Sequence, residues 1–142
     1  MKALSSIVLF FARLCLASIF IFGGASKVVF YEQTAQFMAS KGMGAVHLFL
    51  IAAAIIELAG GLSLILGYRT RLCSAVLILY LIPVTIIFHS FWDVTGAEQA
   101  MAQIEFFKNL AIGGGLLYVL CCGSGGCGLD TCCCKSKPPE QK

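Results

Sequence analysis

The chain is poor in charge. Only 12% of its 142 residues are Asp, Glu, Lys or Arg, about half the share carried by soluble domains, while 59% are hydrophobic and the mean hydropathy is +0.92. Too little ionic surface is left for a soluble globular enzyme. The net charge of +3 is too small to suggest a nucleic-acid partner. There is no C-x-x-C pair, which speaks against a dithiol oxidase, and the eight cysteines fit no zinc or iron–sulfur spacing. No long internal repeat is evident.

What is abundant is long apolar runs. Four stretches of 17 to 22 residues, Leu4 to Phe22, Ala45 to Leu66, Leu72 to Phe88 and Ile104 to Cys122, can each cross a hydrocarbon layer of about 30 Å as a helix. Backbone groups in lipid must satisfy one another, so helices at about 4–22, 45–66, 72–89 and 104–122 are expected. The fold class is therefore all-α, a polytopic four-helix transmembrane bundle within residues 1–126. Residues 127–142 read as a cysteine-rich, disordered cytoplasmic tail. The alternative that the first run is a cleaved secretory signal is disfavoured, because Arg13 interrupts its apolar core and Gly23-Gly24-Ala25 is a poor cleavage site, so a retained helix is expected.

Loop charges set the expected orientation. Lys2, Arg69, Arg71, Lys135, Lys137 and Lys142 fall on one side, against Lys27 and Lys41, with Lys108 at the border, on the other. This bias puts both termini in the cytoplasm. Phe88, Phe91, Trp92, Phe106 and Phe107 collect at the outer boundary as an aromatic belt. In the first outer loop, Phe30, Thr34, Phe37 and Met38 recur at helical spacing, so a short interfacial helix is expected before the Lys41-Gly42-Met43-Gly44 turn.

The few charges at membrane depth are the candidate functional residues. With these helix ends, Arg13 and Glu57 lie at similar depth, and pairing is the least costly arrangement for two such charges. An Arg13–Glu57 ion pair is expected, in a tight interface lined by Ala53, Ala54, Gly60 and Gly61. Arg13, Ala17, Phe20, Gly24 and Lys27 share one helical face. Lys27, His89, Lys108 and Asn109 then form a polar pocket near the outer leaflet. The plainer alternative is that Lys27 and Lys108 snorkel, His89 is interfacial, and Arg13 and Glu57 only set helix register. His47 and His89 lie near outer helix ends, but nothing else suggests a porphyrin site. The terminal cysteines could bind a soft metal or carry acyl chains.

These residues, in this order, resemble the DoxX family of small four-helix membrane proteins. The resemblance rests on Arg13, Phe20 to Gly24 and Lys27; on Glu57, Gly60, Gly61 and Gly67; and on Phe88-His89-Ser90-Phe91-Trp92. It continues through Phe107-Lys108-Asn109-Leu110-Ala111, Gly113 to Gly115, Gly123-Ser124-Gly125 and Leu129-Asp130. Gly128 departs from the serine usual in the family, and the cysteine-rich tail is outside the pattern. The resemblance implies an integral protein of the bacterial inner membrane, working with other membrane or redox proteins as a subunit of a quinone-linked complex. Quinone is the cofactor it implies, with Lys27, His89, Lys108 and Asn109 bonding a quinone head or small anion. The alternative is a non-catalytic scaffold or assembly subunit.

Overall fold

The computed structural model describes residues 2–130, with side chains from residue 6 onward. It contains five helices, α1 (Lys2–Val29), α2 (Tyr31–Ser40), α3 (Val46–Leu66), α4 (Thr70–Phe88) and α5 (Ala97–Cys122), and no strand among the described residues. Among the described residues, four spans are long and apolar enough to cross a membrane: Ser6–Val29, Val46–Leu66, Thr70–Phe88 and Ala97–Cys122. The all-helical, four-span fold and the short extra helix are therefore as expected. The helix ends are not all so. α1 continues through Gly23-Gly24 to Val29, and α5 begins at Ala97. Glycine is tolerated inside a membrane helix where a neighbour packs closely against it. Here Gly24 faces Leu58, and Gly61 faces Ile21 and the Ala17 carbonyl.

Antiparallel packing of α1 on α3 is the most extensive contact in the molecule, and its register is readable from paired residues. Arg13 lies level with Gly67, Ala17 and Ile21 with Gly61, Gly24 with Leu58, and Lys27 with Glu57. The core between the spans comprises Ala17, Phe20, Leu64, Leu77, Leu116 and Val119. Outward-facing Phe11, Phe22, Ile55, Leu79 and Leu110 are exposed, as lipid-facing side chains should be.

Helix α2 does more than lie at an interface. Its Ala35 and Met38 are buried with Leu50 against Val46 and Phe88, and Phe37 stacks on Phe88 with ring centroids 5.9 Å apart. Tyr31 both stacks on His47 and shares a 2.8 Å hydrogen bond with its Nδ1. α2 thus roofs one end of the bundle, and beside it Phe91, Trp92 and Phe106 meet edge to face.

The opposite end, where the described residues start and stop, differs from expectation. Residues 127–130, expected in the tail, fold back onto the α3–α4 turn. The Asp130 amide donates to the Gly67 carbonyl at 2.9 Å. Its carboxylate accepts from the Arg69 and Thr70 amides at 2.7 and 3.0 Å and from the Thr70 hydroxyl at 2.8 Å. It therefore caps α4, whose own N-cap position, Arg69, supplies no side-chain cap. The folded domain reaches at least Asp130; the rest of the expected tail, including Cys132, Cys133 and Cys134, lies outside the described residues.

Candidate functional site

Glu57 is the centre of the polar cluster, and its partner is Lys27. The Lys27 ammonium donates to both carboxylate oxygens, at 2.9 and 2.8 Å, and the Tyr80 hydroxyl donates to Oε1 at 2.7 Å. Glu57 is 7% exposed and the Lys27 side chain 24%. Three helices meet here: α1 supplies Lys27, α3 Glu57 and α4 Tyr80. Gly23 makes the approach possible, since a Cβ there would come within 3.1 Å of the Glu57 carboxylate.

The expected Arg13–Glu57 pair does not form. Because α1 runs on to Val29, its register against α3 is displaced by about ten residues from that expectation, or about 15 Å along the axis. Arg13 reaches the end of the bundle at the α3–α4 turn instead, where it is 2% exposed and donates through Nη2 to the Cys127 carbonyl. Its Nη1 lies beside Gly67 and Gly128, and Phe10 places its ring 5.7 Å from the guanidinium carbon. Asp130 lies close enough for its charge to act on Arg13.

The expected four-residue pocket is brought together only in part. Lys27 and His89 line one cavity of about 380 Å³ under α2, with Thr34, Phe37, Met38, Phe49, Ala52, Ala53, Tyr80, Pro83 and Ile87 among its walls. The wall is almost wholly apolar. Phe37, Phe49 and Ile87 are half-exposed, so the cavity opens to the outer surface of the bundle, where lipid would lie. Lys108 does not line it: that side chain is largely exposed and pairs with Glu105 one turn away. Asn109 is buried but faces a separate groove between α4 and α5, lined also by Leu81, Thr85 and Gly113. α5 therefore contributes no wall to the cavity. The two neighbours in sequence, at i and i+1, point in different directions from one helix.

His89 follows the last turn of α4 at the rim. Burial pushes its pKa below the usual imidazole value; Glu105 opposes this, while Lys108 and Lys41 add to it. The net effect favours the uncharged imidazole. Sequence reasoning missed Tyr80 and Asp130. The first lies in an uninterrupted apolar run, and its only signal is a hydroxyl within it; the second stands in the Leu129-Asp130 pair that carries part of the family resemblance. Among the described residues, no group of three or more His, Cys, Asp or Glu side chains is placed to hold a metal ion.

Known proteins give this arrangement a context. The DoxX family model matches residues 8–90, which contain α1 to α4 apart from the start of α1, and with them Lys27, Glu57, Tyr80 and His89. The chain is 33% identical over 124 residues to the inner membrane protein YphA of Escherichia coli K12, covering 87% of this chain and 89% of that protein. It is 28% identical over 130 residues to the inner membrane protein YqjF of the same strain, covering 92% and 95%. A Surfeit locus protein 4 homolog of Schizosaccharomyces pombe is 28% identical over 108 residues, covering 75% of this chain but 35% of that protein. No solved structure matches significantly. With the family model matched over residues 8–90 and a relative 33% identical over most of both chains, this integral membrane protein belongs to the DoxX family.

Proposed function

We propose that the protein is a bacterial inner-membrane subunit of a quinone-linked redox complex, and that the cavity under α2 holds the quinone head. The observation that carries this reading is the cavity itself: about 380 Å³ of apolar space with Lys27, Tyr80 and His89 as its convergent polar groups. Its aromatic and Met lining suits a flat ring, and its opening toward lipid suits a ligand that arrives through the bilayer. The two Escherichia coli relatives, both inner membrane proteins, support the inner-membrane location. Lys27 keeps the polar-pocket role expected of it, and His89 the role of a rim contact. Lys108 and Asn109 act elsewhere.

Mass spectrometry of gently purified protein tests this. Retained quinone is expected, together with its loss in an Ala52→Phe variant, whose ring would fill the cavity from a half-buried position. Absence of quinone from the native protein, or equal retention in the plugged variant, would overturn the reading. The scaffold alternative draws on one observation, that the Lys27–Glu57–Tyr80 cluster satisfies itself and so could simply hold three helices in register. That alternative requires co-purifying partner chains and no bound quinone.

A further inference from the structure

We propose that the Lys27–Glu57 pair makes this cavity selective for an uncharged, carbonyl-bearing ring on a long apolar chain, and that Glu57 is the residue that excludes anions. The proposal rests on the reading of the cavity as a ligand site. It decides between two ligand classes that the sequence leaves open, a quinone head and a small anion.

Lys27 is the cation that lines the cavity, and by itself it would attract carboxylates and phosphates. Glu57 stands directly behind it, with both oxygens within 2.9 Å of the ammonium. An entering anion would lose its hydration and meet no net charge in return. Of the other ionisable groups on the wall, Tyr80 donates its hydroxyl proton to Glu57, and burial biases His89 toward its uncharged form.

Hydrogen-bonding capacity remains after charge is cancelled. An ammonium has three N–H donors, and the two contacts to Glu57 leave at least one for a ligand carbonyl. Tyr80 spends its proton on Glu57, so its oxygen lone pairs can accept from a ligand hydroxyl. One cluster can thus meet a carbonyl or the hydroxyl that replaces it, which are the two oxygen states of a quinone and its quinol.

A matched pair of probes tests the selectivity on the full-length protein in lipid nanodiscs: a decyl-substituted benzoate and its methyl ester, each corrected for partition into protein-free discs. Native protein should bind the ester at least about tenfold more tightly, a difference of about 1.4 kcal/mol. Equal or tighter binding of the benzoate would overturn the proposal without any mutant. Glu57→Gln exposes the Lys27 charge and should raise benzoate affinity by about tenfold or more. A folded Glu57→Gln protein with no gain would also overturn it. Should that variant not fold, Glu57→Asp, which keeps the charge, must preserve the native preference, and its loss there counts against the proposal. The quinone reading fails separately: if native protein takes neither probe but Glu57→Gln takes benzoate, the charge assignment stands and the ligand reading falls. If no variant binds either probe, both fall.

Discussion

At the scale of single residues, the low charge content makes each ionisable side chain informative, and the pairing of Lys27 with Glu57 is the main result. Glu57 is nearly inaccessible, so Lys27→Met would leave a carboxylate with Tyr80 as its remaining hydrogen-bond donor and should cost about 3 kcal/mol. Glu57→Leu should cost less, because the partly exposed Lys27 can extend its ammonium toward headgroups. The double variant should recover most of the loss, and thermal unfolding in one detergent would read all three. Additive losses would show that the two residues act independently. The candidates themselves were legible in the sequence, because an ionisable residue inside an apolar run stands out. Their partners were not: Arg13 and Lys27 lie fourteen residues apart on one face of α1, and that shared face does not say which of the two charges meets Glu57.

Between elements, close approach and capping decide which changes matter. Gly61→Ala would place a methyl group within 2.9 Å of the Ile21 side chain and 3.2 Å of the Ala17 carbonyl oxygen, where backbone cannot yield cheaply. It should destabilise the α1–α3 pair by about 1–3 kcal/mol. Gly114→Ala meets nothing within 4 Å and should be neutral or stabilising by up to about 1 kcal/mol. Comparing the two by thermal unfolding separates packing from helix propensity. Asp130 supplies the other test. Burial pushes its carboxyl up, but hydrogen bonds from Thr70 and Arg69 and the nearby Arg13 charge outweigh this and hold it below the usual carboxylate range. A depressed value means that its contribution is whole above the unfolded pKa of about 4 and fades as pH falls through the folded value. Asp130→Asn should therefore cost about 1 kcal/mol at neutral pH and lose that difference under acid. A variant that stays equally weakened at low pH would show that the carboxylate charge is not the source of the stability.

For the whole molecule, the roofed end and the clasped end have different characters. α2 encloses an apolar cavity above a neutralised charge pair, and residues 127–130 tie the opposite end around Arg13. The loop-charge bias predicts that the clasped end faces the cytoplasm and the cavity end the outer leaflet. A reporter that functions only in the cytoplasm, fused after Lys142, should be active; inactivity there with activity of a periplasmic reporter would reverse the orientation.

Composition and periodicity determined the broad outcome by themselves. Apolar runs of membrane length must become helices because lipid offers their backbone no other partner, and the spacing of Phe30, Thr34, Phe37 and Met38 is enough to announce α2. Which charges meet was decided only by tertiary structure. Along one helix, hydropathy constrains depth to within a turn or two at best, whereas an ion pair needs side chains within about 4 Å. Interhelical packing at Gly23, Gly24 and Gly61 supplies that missing precision. It brings Lys27 to Glu57 and leaves Arg13 to the chain's own returning segment.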